Sequence, residues 1–237
     1  MGWASLAEGY VGRASQTGLE KGECGVILHG YWRSSAAYRV RIALNLKQLS
    51  VQHAFHHLRR NEQREPDYLR LNPQGLLPAL ELDSGRGVLT QSLAICEWLE
   101  ETCPEPRLLP RDPVTRARLR AFALAIACDI HPLQNLKVLR RLRDLGHDQH
   151  AVNSWAHDVV VEGLEACEAL APSAGAFLFA AMPTLAEVCL VPQLANARRF
   201  GVDLSVYPRL LAAERVCQEL PAFTAAAPER QPDAESG

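Results

Sequence analysis

Lysine is almost missing from this chain. It stands only at Lys21, Lys47 and Lys137, so 22 of the 25 basic residues are arginine. A coding bias is enough to explain that, although the arginine fork also matches carboxylates bidentately. A surplus of positive charge is missing too. The 25 Lys+Arg against 27 Asp+Glu leave −2, with a pI near 6.4, which excludes the basic footprint of a nucleic-acid binder. No long apolar run exists: the longest, Ala121 to Cys128, is far short of the roughly 20 residues of a membrane span. Residues 1–25 carry Glu8, Arg13, Glu20, Lys21 and Glu23, so no secretory signal is expected there. No CxxC occurs among the seven cysteines, at 24, 96, 103, 128, 167, 189 and 217. Their odd number and apolar neighbours read as free thiols in a reducing compartment, mostly small core residues. Collagen, coiled coil, integral membrane protein and secreted knottin do not fit. A cytoplasmic globular protein does, and 237 residues allow one large domain or two modest ones with a self-sufficient core.

The chain divides by pattern. Residues 1–25 show no sustained period and read as a weakly structured extension, or as a start site placed too far upstream. Val26 to Gly30 is a short strand. A turn at Trp32–Ser34 leads into a helix from about Ser35 to Lys47, with Val40, Ala43 and Leu44 at helical spacing. Val51 to Leu58 is strand-like, and Glu65 to Leu71 is a short helix ended by Asn72-Pro73. Leu76 to Leu82 is a strand containing Pro78, which suits an edge or a bulge. Gly85 to Gly87 turns into the return strand Val88–Thr90, and Ser92 caps a helix to about Thr102. The order βαβα, then ββα, closes within a unit at 26–107. The stretch Cys103 to Pro113 holds four prolines and reads as a boundary. Residues 114–237 are all helical. Leu119, Phe122, Ala123, Ile126, Ala127 and Ile130 make one apolar face. His131-Pro132 is expected to kink that helix, since Leu133, Leu136 and Leu139 resume the pattern. Further helices follow at about His150–Leu170, from a Thr184/Glu187 capping box, and from Tyr207-Pro208 to about Leu220. The tail from Pro228 is expected to fray.

Three features of the first unit converge. Ser34 and Ser35 sit where a strand passes into a helix, whose unpaired N–H groups favour an anion such as a thiolate. Leu77-Pro78, if cis, turns the Leu77 backbone outward, free to pair with an extended peptide. Gln91-Ser92 opens a second helix able to hold a carboxylate. Each alone has an ordinary explanation: a cap, an edge-strand proline, another cap. Together they describe a fold that holds a small peptide thiol.

Here a family resemblance becomes specific. Ser34-Ser35-Ala36-Ala37-Tyr38-Arg39-Val40-Arg41-Ile42-Ala43-Leu44 resembles the serine signature of the zeta class of glutathione transferases. Asn72-Pro73-Gln74-Gly75, Leu77-Pro78, Gln91-Ser92-Leu93-Ala94-Ile95, Glu97-Trp98-Leu99-Glu100, and Asn196-Ala197-Arg198-Arg199-Phe200 with Asp203 and Tyr207-Pro208 extend the likeness to nearly everything after residue 25. It implies a thioredoxin-like α/β domain followed by an all-α domain, glutathione as cofactor, and a homodimer. It implies that Ser34, with Ser35 beside it, supports the glutathione thiolate. Gln63 and Leu77 (through its backbone) match glutathione contacts, and Gln91 and Ser92 match the site for its γ-glutamyl end. His131 and Asn135 match positions lining the same site. Arg199 matches an arginine that binds substrate carboxylate, with Arg39 and Arg41 as alternatives; at least one of these two reads as a solvated helix-face charge. Ala36 stands where many members carry a cysteine, so side reactions of that cysteine lose their residue.

The implied reaction is the glutathione-dependent conversion of maleylacetoacetate, a dicarboxylic keto acid, to its fumaryl isomer in tyrosine and phenylalanine catabolism. Lys137, near an arginine of some maleylpyruvate isomerases, favours the acetoacetate substrate. The alternatives are maleylpyruvate isomerisation, transferase activity on α-halo acids, and a glutathione-binding scaffold. No metal is expected: His53, His56 and His57 lack a partner at ligand spacing. Cys128, three residues before His131, reads as a core cysteine.

Overall fold

The structure, a computed structural model, describes residues 26–172 and 175–235; the expected extension 1–25 lies outside them. Strand β1 (Ile27–Gly30), helix α1 (Ser35–Leu46), β2 (Gln52–Phe55), α2 (Pro66–Leu71), β3 (Ala79–Glu81), β4 (Val88–Thr90) and α3 (Ser92–Thr102) build the α/β half. The sheet runs β2-β1-β3-β4, with β1 parallel to β2 and both other pairs antiparallel. β3 is therefore an inner strand, not the edge that Pro78 suggested. The conflict disappears because the ladder starts at Ala79, one residue past the proline, and no ladder N–H is lost.

The helical half comprises α4 (Pro113–Leu124), α5 (Leu136–Asp144), α6 (Gln149–Leu170), α7 (Leu185–Arg199), α8 (Pro208–Gln218) and α9 (Pro221–Thr224). Among the described residues no helix is long and apolar enough to cross a membrane. The capping box is present at the start of α7. Thr184 Oγ1 accepts from Ala186 N, and Glu187, fully buried, accepts from Thr184 N at 2.8 Å and Leu178 N at 2.6 Å. These bonds anchor the helix that runs through the middle of the core.

One apolar core crosses both halves, from Leu28, Ile42 and Leu80 to Phe122, Leu164 and Leu194. Helix α1 is its hinge: it packs against α3 on one side and α7 and α9 on the other, and Ala36 to Leu44 are all buried. The proline-rich boundary is fastened by a buried ion pair. Lys47 Nζ lies 2.6 Å from Glu100 Oε2 and donates to the Pro106 carbonyl, while Glu100 accepts from Leu108 N and Leu109 N.

Three expectations give way here. His131-Pro132 does not kink a continuous helix. α4 widens into a π-helical turn at Ala125–Ile130, closed by His131 N to Ile126 O, and stops. Pro132 has no N–H to continue it, and Asn135 caps the new helix α5. The wide turn rotates Cys128 out of the apolar stripe, so it is exposed, whereas Cys96, Cys167, Cys189 and Cys217 are core residues as expected. It also presses Ile130 onto α6 at Gly163, where a Cβ would lie 2.2 Å from Ile130 Cγ1. Finally, the tail from Pro228 is held in place as far as Glu235, where the described residues end. Asp233 Oδ2 accepts the Trp32 N–H at 2.9 Å, Glu235 meets His57 and Arg60, and Ala234 packs against the Tyr31–Trp32–Tyr68 cluster. Asp233 and Glu235 find partners on the α/β half, and Gln231 Nε2 donates to the Ala225 and Ala227 carbonyls.

Candidate active site

The sheet register gathers the site. His29 pairs with Ala79, and Ala79 with Thr90. The end of β1, the start of β3 and the end of β4 therefore share one edge, and Ser34, Leu77 and Gln91-Ser92 follow or precede these strand ends there.

Ser34 is the N-cap of α1. Its N–H donates to Tyr31 O at 3.0 Å, and its Oγ accepts from Ala37 N at 3.2 Å. Capping uses a lone pair only, so the hydroxyl proton stays free to donate to an anion. Ser34 is partly exposed and no acidic residue sits in the first turn of α1, so the positive helix end faces outward uncancelled. Ser35 is buried, and Arg199 Nη2 reaches its Oγ at 3.4 Å.

Asn72 organises the loop before β3. Its side chain donates to Leu76 O, which Tyr68 Oη also holds at 2.6 Å, and accepts from Gln74 N. Gly75, at φ 59°, lets Arg64 lie against it. The Leu77–Pro78 peptide is cis, and Leu77 precedes the ladder, so its backbone is outside the sheet pairing. Gln63 is buried with Oε1 unpartnered. Its loop is clamped from the helical half by Arg140, which donates to Leu58 O at 2.9 Å and to Asn61 Oδ1.

Gln91 rather than Ser92 occupies the N-cap position of α3, at φ 67°, and makes no side-chain cap bond; its amide donates to Gln74 Oε1 at 2.9 Å. Ser92 is the first helical residue, and its Oγ accepts from Arg39 Nη1 at 3.3 Å. The first-turn N–H groups of α3 thus face the same edge without a side-chain cap.

Arg199 ends α7 and turns its guanidinium onto Ser35 Oγ and Arg33 O. Arg199 is exposed as a residue; desolvation where its guanidinium lies against the protein lowers its pKa to about 10, with Arg33 and Arg59 adding like charge and Glu229 opposing. It stays cationic at neutral pH. Its neighbour Arg198 is matched by Glu214, 2.6 Å away; Arg199 has no such partner among the described residues and borders a cleft of about 580 Å³ with Tyr38, Ala227 and Glu229. Arg33, whose guanidinium stacks 5.2 Å from the Trp32 ring centre, forms a cationic mouth with Arg199 and Arg59, outside the lining of that cleft. Nothing in the spacing singled it out beyond its place beside Ser34.

Arg39 and Arg41 are both buried, at 2% and 5% exposure, so neither is a solvated helix-face charge. Arg41 is spent on the Ala226, Tyr31 and Trp32 carbonyls. Asn135 Oδ1 accepts from Lys137 N and Val138 N as the α5 cap. The His131 ring has an unpartnered buried Nδ1. Burial, then the Arg39 and Arg199 charges, push its pKa from 6.5 to about 3. It is neutral at working pH. The unfolded chain takes up a proton there below about 6.5 and the folded chain does not, so stability falls as pH drops from about 6.5 towards 3. His131→Asn is expected to shallow that slope, and urea midpoints at pH 7 and pH 5 read it directly. Equal slopes for both proteins would contradict the depressed pKa.

Residues 33–102 match the family described as Glutathione S-transferase, N-terminal domain. The chain is 49% identical over 208 residues to the maleylacetoacetate isomerase of Pseudomonas aeruginosa, covering 87% of this chain and 97% of that protein. It superposes at TM-score 0.84, with 46% identity over 88% of this chain and 100% of the other, on a holo maleylpyruvate isomerase described as a bacterial zeta-class glutathione S-transferase. A maleylacetoacetate isomerase from Anaeromyxobacter dehalogenans, with dicarboxyethyl glutathione and citrate in its active site, aligns at TM-score 0.81 and 43% identity, covering 90% and 95%.

Proposed function

Because the chain belongs to the zeta class of glutathione S-transferases, we propose that it isomerises the cis double bond of maleylacetoacetate with glutathione as cofactor. The observation that carries this is the pairing of a hydroxyl-capped helix start at Ser34 with the cation of Arg199, which has no ion-pair partner among the described residues and lies only a side chain away, through Ser35. One group suits a thiolate; the other suits a substrate carboxylate.

The residues fit the tripeptide. Gln63 Oε1 is buried without a partner, Leu77 has backbone to offer an extended peptide, and the α3 start suits a carboxylate. In this reading residues 26–107 hold glutathione and 114–237 complete the substrate site. Glutathione, when bound, supplies a thiolate that adds reversibly to the alkene, so that the former double bond can rotate, and it leaves unchanged. Ser34 keeps the sulfur ionised by donating its O–H, aided by the α1 dipole. Arg199, with Arg33 and Arg59 behind it, holds the carboxylates and faces the negative charge that develops on the substrate oxygen. Neutral His131 adds no competing positive charge. Family membership also supports a homodimer working in the cytoplasm on tyrosine and phenylalanine breakdown products.

The decisive assay compares maleylacetone with maleylpyruvate under saturating glutathione. Faster turnover of maleylacetone supports the reading, as does Lys137, which stands near the place of an arginine in some maleylpyruvate isomerases. Preference for maleylpyruvate moves the assignment to that isomerase, and glutathione binding without any turnover leaves a scaffold.

A further inference from the structure

Arg39 is the largest of the fully buried side chains, and its cation has no counter-ion. Among the described residues no carboxylate lies within ion-pair distance of it; one nitrogen, Nη1, donates to Ser92 Oγ at 3.3 Å, and Nε and Nη2 are buried without partners. The ionisable groups whose titration its charge visibly shifts include the Cys96 and Cys189 thiols and the His131 ring, none of them an anion at neutral pH. An uncompensated buried charge is costly. It sits directly behind a helix start whose N–H groups have no side-chain cap.

The Ser92 hydroxyl has one proton and two lone pairs. Accepting from the guanidinium occupies one lone pair, so the O–H is left free to donate away from Arg39. From this geometry we propose that Arg39 is a positioning residue for glutathione: it orients Ser92 as a donor and supplies the positive charge beneath the α3 start that holds the γ-glutamyl α-carboxylate. The inference rests on glutathione being the ligand. It also gives Arg39 a task different from substrate anchoring, since its fork faces Ser92 and the interior.

The test is calorimetric and needs no turnover. Glutathione is compared with 4-aminobutanoyl-cysteinylglycine, the same tripeptide without that carboxylate. Wild-type protein should prefer glutathione. Arg39→Met should weaken glutathione roughly tenfold, the equivalent of one hydrogen bond to a charged group, and leave the analogue unchanged. Ser92→Ala should do the same, and the double variant should lose little more, because the two act as one unit. The melting temperature of unliganded Arg39→Met should not fall, since the charge it removes has no partner. Should that variant not fold, Arg39→Lys carries the comparison, with a preference for glutathione between the other two. Equal weakening of both ligands, or no weakening of either, overturns the role of Arg39. Wild-type protein that binds neither ligand removes the glutathione reading itself, and this role with it.

Discussion

Ser34→Ala is expected to lower kcat by about a hundredfold or more, the usual loss when one donor to a developing or bound anion is removed from a preorganised site. Two effects have to be separated, because Ser34 does two things. As the α1 cap it accepts from Ala37 N, so its loss also destabilises the fold by about 1 kcal/mol. As a donor it stabilises the thiolate, so its loss raises the thiol pKa and moves the acid limb of the pH–rate profile to higher pH. A stability defect alone would not move that limb. Ser34→Thr keeps both cap and hydroxyl and should retain most of the activity. A pH–rate profile at saturating glutathione, measured beside a melting curve, decides the matter; unchanged kcat and an unmoved limb would take Ser34 out of the mechanism.

The second large effect falls on the substrate side. Arg199→Ala should raise the KM for the diacid by roughly ten- to a hundredfold, the value of a lost charge-assisted hydrogen bond. Glutathione affinity should change little. Stability should also change little, because the contacts of Arg199 to Arg33 O and Ser35 Oγ are long, at 3.3 and 3.4 Å. Arg199→Lys should recover only part of the loss, since a point charge cannot form the fork. The wild-type KM should rise with salt, which screens the mouth formed with Arg33 and Arg59. An unaltered KM in Arg199→Ala would move the anchor to Arg33 or Arg59.

How much of this was legible in the residues depends on range. The strand-turn-helix at Ser34, the cis Leu77–Pro78 bond, the Gln91-Ser92 helix start and the Thr184/Glu187 capping box all rest on bonds between close neighbours in the chain. Periodicity and turn chemistry report such bonds. The kink expected at His131-Pro132 failed because a proline alone does not say whether a helix bends or stops; the cap offered by Asn135 decided it. Composition suggested a frayed tail, yet Asp233 finds the Trp32 N–H 201 positions away. At least one of Arg39 and Arg41 read as a surface charge because a helix face has no sign of burial until another layer covers it.

The order of amino acids alone determined most of the elements and the hydroxyl at the first helix start, since these follow from backbone preferences and short-range hydrogen bonds; the sheet register, which brings strands some fifty residues apart side by side, as at His29 and Ala79, gathered them at one edge. The packing of α7, α9 and the tail onto α1 decided which charges are usable. It sealed Arg41 against carbonyls, left Arg39 as a lone cation behind Ser92, neutralised His131, and turned Arg199 to Arg33 at the mouth. Desolvation and like-charge proximity set those outcomes, and both depend on which distant segments pack together.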